Sequence, residues 1–186
     1  LNRYEEAIEC YDKALQIDPH SANALIGKGT ALDSMGQHEK AIGMLLESMC
    51  RYGEAIECYD KAIKINPQRA DAWRSRGVSL NDLRRDEQAI PCFNTALEID
   101  PRDVDAWVDK ARSLGALCGY EKSLECCDKA LKIDPLHVNA WIGKGASFLG
   151  LDRNGEAIQC YDEALKIDPQ NAFAQLGKKV AVMKRR

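Results

Sequence analysis

The most reactive side chains in this 186-residue chain are eight cysteines and three histidines, His20, His38 and His137. Structural zinc and dithiol redox sites need thiols at short fixed spacings, with histidines or further thiols completing the set. No CxxC pair occurs, and the one close pair, Cys126-Cys127, is vicinal. Cys10, Cys58, Cys92, Cys126 and Cys160 instead each stand nine residues before a proline, and Cys50 and Cys118 each stand eight before one of those five. Such phase points to a structural position, so no metal and no cofactor is expected. There is also no Gly-rich phosphate loop, no GxSxG and no HExxH. Carboxylates recur at Asp12, Asp60, Asp128 and Asp162, three of them followed by Lys13, Lys61 or Lys129, the pattern of a solvated charged face. The chain is therefore read as non-enzymatic.

What positions these side chains is a repeat. An acid or Asn followed by Pro occurs at Asp18-Pro19, Asn66-Pro67, Asp100-Pro101, Asp134-Pro135 and Asp168-Pro169, at spacings of 48, 34, 34 and 34. Twelve residues before these prolines stand Ala7, Ala55, Ala89, Ser123 and Ala157, and five before them Ala14, Ala62, Ala96, Ala130 and Ala164. Small residues there let two helices approach closely. Eight before are Tyr11, Tyr59, Phe93, Cys127 and Tyr161; six after are Leu25, Trp73, Trp107 and Trp141; ten after are Gly29, Gly77, Ala111 and Gly145. Within 155–167, Ala157, Ile158, Tyr161, Ala164 and Leu165 fall on one helical face, and Asp168-Pro169 ends the helix because the residue before proline is pushed out of the α region. The pattern predicts about eleven helices, near residues 4–17, 22–35, 39–50, 54–65, 70–83, 87–99, 104–117, 121–133, 138–151, 156–167 and 172–184, and no strands. Pro91, near the second turn of its helix, removes a backbone donor and makes that helix the least regular.

With these landmarks in constant phase, the chain resembles the tetratricopeptide repeat family, whose 34-residue unit is a helix–turn–helix. The resemblance covers essentially the whole chain. It implies an all-α fold, an α-solenoid of stacked antiparallel helix pairs in a right-handed superhelix. A half repeat would occupy 1–21, an irregular region 22–69, full repeats 70–103, 104–137 and 138–171, and a terminal helix 172–186. Cysteines at one repeated position would lie roughly 18–20 Å apart, two interaxial distances, whereas a disulfide needs Cα atoms within about 7 Å. They are expected to pack as small hydrophobes in a reduced, cytoplasmic protein.

The function this resemblance implies is a protein–protein interaction scaffold that binds a peptide or partner segment on the concave face lined by first-helices. Read by offset from each proline, the candidate peptide-binding residues are Asp71, Arg74, Val78 and Asn81 on one first-helix, Asp105, Val108 and Arg112 on the next, and Asn139 and Ile142 on the third. Arg74 and Arg112 would anchor an acidic ligand group, with Asn81 as a hydrogen-bonding partner. The carboxylate clamp of the chaperone-tail class, a Lys and Asn four residues apart, is missing: the matching pairs are Ile26 with Thr30, Arg74 with Val78 and Val108 with Arg112. The recurring Lys28, Arg76, Lys110 and Lys144 read as surface cations with buried stems. A self-assembling structural module and a regulatory or targeting segment of a larger enzyme stand as alternatives.

Composition narrows the classes further. The 26 Lys+Arg against 29 Asp+Glu give a net charge of −3 and a sequence pI near 5.7, so bulk charge argues against nucleic acid. No stretch approaches the roughly 18 apolar residues of a membrane span. The chain starts at Leu1 without a leader pattern, which suggests a fragment of a longer protein. The 48-residue interval reads as two repeats with 20 residues removed, joined between Ile42 and Gly43, and predicts an irregular junction near 36–55 with one continuous helix from about 39 to 50. Gly43 would cost that helix roughly 0.5–1 kcal/mol relative to Ala. The half repeats at the ends are expected to expose apolar faces, Ala7, Ile8, Tyr11, Ala14 and Leu15 at the start and Phe173, Leu176 and Val180 at the end. Weak head-to-tail association through them is a further expectation.

Overall fold

Every Asp/Asn-Pro step closes one helix and sets up the next. The computed structural model describes residues 2–41 and 45–185, and these hold ten α-helices and no strand. They are α1 (Asn2–Ile17), α2 (Ala22–Ala41), α3 (Leu45–Ile65), α4 (Ala70–Asp82) and α5 (Asp86–Ile99) in a first compact unit, Leu1–Asp100. A second unit, Pro101–Arg186, holds α6 (Val104–Ala116), α7 (Tyr120–Ile133), α8 (Val138–Gly150), α9 (Asn154–Ile167) and α10 (Ala172–Lys184). Within each unit consecutive helices pack side by side.

The Pro turn is made by its own side chains. Asp18, Asn66, Asp134 and Asp168 each accept the backbone N–H two residues on, at 3.0–3.2 Å, the local bond that favours Asp and Asn in turns. The indole N–H of Trp73, Trp107 and Trp141 donates to the carbonyl of Pro67, Pro101 and Pro135 at 2.9–3.0 Å. In α10 the Gln175 amide makes the same bond to Pro169 at 2.9 Å. Asp103 and Asn171 cap α6 and α10 by accepting from Ala106 and Ala174, and His137 Nδ1 does so for α8. The turns inside helix pairs place Arg84, Cys118 and Asp152 at φ of 60°, 61° and 55°, the left-handed conformation that reverses the chain. Cys118 therefore sits in a turn while Cys50 lies inside α3, so their shared sequence offset is not a shared structural position.

Helix spacing is set by aromatic rings seated on glycines. A Cβ placed on Gly29 would lie 2.6 Å from Tyr59 Cε1, one on Gly77 would lie 2.6 Å from Phe93, and one on Gly145 would lie 3.0 Å from Tyr161. The ring also reaches the following first-helix: Tyr11 fills the space over Gly27 and Tyr161 the space over Gly177. In the α6–α7 pair both members change together, Ala111 standing for the glycine and Cys127 for the ring, and the two share one core cluster. The smaller thiol makes room for the extra methyl group. Ala55, Ala62, Ala89, Ala96, Ala130, Ala157 and Ala164 are fully buried, as close helix approach requires.

The 48-residue interval holds two long helices where the sequence pattern divides it into three. Helices α2 and α3 have 20 and 21 residues against 13 and 14 in α4 and α5, seven more in each. They run antiparallel, and Gly36 against Tyr52 repeats, two turns along, the contact of Gly29 with Tyr59. Helix α3 continues through Gly53 because Tyr52, Ala55, Tyr59 and Ala62 form one uninterrupted buried stripe. The expected join at Ile42–Gly43 lies outside the described residues. Helix α5 likewise runs through Pro91 without a break, with the proline on its exposed side.

The recurring aspartates do not pair with the lysines beside them. Asp12, Asp60, Asp128 and Asp162 bind Lys28, Arg76, Lys144 and Lys178 on the next first-helix, sixteen residues on, at 2.5–2.7 Å. These pairs are partly exposed and each contributes about 0–1 kcal/mol, so they fix register more than they stabilise. The ring–glycine fit gives a sharper test. Gly77→Ala should cost about 1–3 kcal/mol by overpacking, and much less in a Phe93→Cys background. Urea unfolding of the four proteins measures this coupling; additive costs would contradict it.

Candidate functional site

Positions four, seven, eleven and fourteen after each proline share one helical face, since spacings of three and four residues keep side chains together. In the second unit that face opens onto a cavity of about 590 Å³. Helix α6 contributes Val108, Arg112 and Gly115, α8 contributes Asn139, Ile142 and Ala146, and α10 contributes Phe173. The floor is formed by Ala111, Gly143, Tyr120 and the hydroxyls of Ser123 and Ser147. Those hydroxyls are satisfied internally: Ser147 donates to Ser123 Oγ at 2.8 Å, which donates to the Ala111 carbonyl at 2.8 Å. The floor therefore offers shape and apolar surface, while the polar groups at the rim are Asn139, Asp109 and Arg112. The Arg112 guanidinium lies 3.6 Å from the Asp109 carboxylate, a loose pair on an exposed side chain.

Ala111 and Gly143 are also the two residues a ring at position 127 would touch. A Cβ on Gly143 would meet only the Cys127 sulfur, at 3.3 Å. Both residues line the hollow, and the side chain packed against them is the Cys127 thiol, where other pairs carry an aromatic ring.

Of the nine residues selected from sequence, Val108, Arg112, Asn139 and Ile142 come together here. Asp105 does not line the cavity; it is exposed and faces His137 Nε2 at 3.2 Å. The remaining four stand on α4 in the first unit. Asp71 is clasped by the Arg69 guanidinium at 2.7 and 2.9 Å, which holds its carboxyl below the usual range. Val78 packs on the Leu80–Cys92–Phe93 cluster, Asn81 is buried, and Arg74 is half-buried. Tyr120 and Ser123, on the second-helix α7, escape selection by first-helix offset, although Ser123 occupies a landmark position otherwise held by alanine.

The first unit holds a different polar centre. Asp33 is buried between α2, α3 and α4, accepting from Tyr59 Oη and Ser79 Oγ, both at 2.7 Å. Among the described residues no cation is a hydrogen-bond partner of it, and desolvation outweighs both bonds, pushing its carboxyl up to about 7. Sequence offset places Asp33 on the groove face; Tyr59, at the ring landmark of α3, and Ser79, on α4, reach it from the neighbouring helices.

All eight cysteines are free thiols. Burial pushes up the five inside the core, Cys127 to about 12 and Cys160 to about 11, which makes them poor nucleophiles at neutral pH. Among the described residues no three His, Cys, Asp or Glu side chains are grouped as metal ligands, and no helix is long and apolar enough to cross a membrane.

The fold and its landmarks agree with the comparisons. A family model described as TPR repeat matches residues 1–36 and 51–83, and one described as Tetratricopeptide repeat matches 70–103 and 138–171. The chain belongs to the tetratricopeptide repeat family. No curated protein sequence matches it. Among solved structures it is similar to MamA (21% identity, 90% of each chain covered, TM-score 0.72). It is also similar to YrrB, described as a TPR protein with an unusual peptide-binding site (25% identity, 96% of this chain and 84% of that one, TM-score 0.71). The first TPR of Spaghetti (RPAP3), bound to the HSP90 peptide SRMEEVD, is 20% identical over 62% of this chain and 92% of that one, with a TM-score of 0.60.

The buried carboxylate carries a pH prediction. A folded pKa above the unfolded value near 3.9 means that the folded state holds the extra proton between those pH values. Stability then falls as pH rises through that window, at no more than about 1.4 kcal/mol per pH unit. Asp33→Asn should flatten this fall between pH 4 and 7 in urea titrations; an unchanged pH profile would contradict the assignment.

Proposed function

We propose that the chain is a non-enzymatic interaction module that binds a peptide segment of another protein in the groove of the second unit. The observation that carries this reading is the convergence of Val108, Arg112, Asn139 and Ile142, from two first-helices, on one cavity of about 590 Å³. A hollow of this size takes one or two large apolar side chains against Ile142, Val108 and Phe173. Arg112 then serves an acidic group of the ligand by exchanging its loose 3.6 Å pair with Asp109 for a closer one. Asn139 supplies both a donor and an acceptor for the ligand backbone. In the first unit Val78 and Asn81 are engaged in the core, so the site is assigned to the second unit. The peptide-binding site described for YrrB and the HSP90 peptide bound by the first TPR of Spaghetti (RPAP3) support the same class of ligand.

The reading is tested with a phage-displayed library of random 12-residue peptides selected on the intact chain. Selected peptides should carry an apolar residue near an acidic one, and their affinity should fall at least tenfold with Arg112→Glu and with Ile142→Glu. Peptides whose affinity ignores both changes would place binding elsewhere.

A further inference from the structure

The inner face of α10 differs from its counterparts. At four, seven, eleven and fourteen residues after proline, α4 carries Asp71, Arg74, Val78 and Asn81, and α6 carries Asp105, Val108, Arg112 and Gly115. Only α10 has four large apolar residues there, Phe173, Leu176, Val180 and Met183. All four are exposed, Phe173 at 76% and Leu176 at 62%. Their spacings of three, four and three residues are those of a coiled-coil seam, and the stripe runs about 15 Å along the helix at 1.5 Å per residue. Phe173 lines the same cavity as Ile142 and Arg112, so the stripe continues the wall of the groove.

Two occupants can be weighed against this surface. A second copy completing the half repeat would use the neighbouring face of α10, about a third of a turn round the helix, at six, ten and thirteen residues after proline. There Gln175 replaces the Trp or Leu of other repeats and Lys179 replaces the Gly or Ala on which a ring would sit, with only Val182 keeping the pattern. That face is poorly built for a second-helix. The inner stripe, by contrast, is flanked on its two sides by exposed Lys179 and Lys184, the latter only 3.8 Å from Asp152. A stripe of apolar knobs with one lysine on each side suits a helix whose own apolar seam is edged with carboxylates.

We infer that the inner face of α10 is a docking wall for an acidic amphipathic helix of a partner protein, lying along Phe173, Leu176, Val180 and Met183 with its end at the groove. This rests on the groove reading above and names the class of ligand that the groove takes.

The probe is a fluorescein-labelled 14-residue synthetic peptide with Leu at a and d and Glu at e and g, measured by anisotropy against the whole chain. It should bind and gain helical circular dichroism on binding, while a scrambled peptide of the same composition should not. Leu176→Asp, on an exposed side chain, should weaken binding at least tenfold with an unchanged thermal midpoint. Lys179→Glu should weaken the acidic peptide and strengthen a companion with Lys at e and g. No binding, equal binding of the scrambled peptide, or indifference to Leu176→Asp would overturn the proposal. Self-association abolished by Leu176→Asp would overturn it in favour of a second copy. Phage-selected peptides that depend on Ile142 but not on Leu176 would keep the groove and discard the α10 wall; peptides that depend on neither would discard both.

Discussion

An aromatic ring held against glycine is the contact on which the remaining geometry depends. Rings at 59, 93 and 161 lie so close to Gly29, Gly77 and Gly145 that a methyl group on any of those glycines would collide with them or crowd them tightly. Interiors at crystal-like density have no slack for such a group. The ring therefore fixes how near two helices lie. Where the ring is lost, at Cys127, its partner becomes Ala111 and the space over Gly143 is met by sulfur alone. Ala111 and Gly143, which pack against that substitution, also line the groove of the second unit.

The long α2–α3 pair follows the same rule at greater length. Seven residues are two helical turns, so adding seven to each helix returns glycine and tyrosine to contact at Gly36 and Tyr52. The extension preserves packing phase and needs no change in the helices that follow. Asp33, on the first helix of this pair, is desolvated against Tyr59 and Ser79 with two hydroxyl donors in place of a cation. Such a group is destabilising when ionised.

Most of the architecture was legible because its determinants are local and periodic. Proline phase located the helices, and the Trp and Asp/Asn landmarks proved to be bonds that close each turn. The groove was half legible: Val108, Arg112, Asn139 and Ile142 were reached by counting along first-helices, which ignores what α7 contributes through Tyr120 and Ser123. The sixteen-residue ion pairs escaped notice because each aspartate has a lysine next to it in three cases of four, and adjacency hid the longer spacing. The 48-residue interval is less legible for a related reason. Repeat phase is compatible both with a deletion of 20 from two units and with a gain of seven in each helix of one, and the contact of Tyr52 with Gly36 fits the packing of one long pair.

On this packing logic the depth of the groove depends on the missing ring at position 127. A crystal structure of the Ala111→Gly, Cys127→Phe double variant tests it most directly. The new ring should sit between positions 111 and 143, and the cavity of about 590 Å³ lined by Val108, Arg112 and Ile142 should shrink. A ring seated there with the cavity unchanged would show that the groove has another origin and would contradict the account.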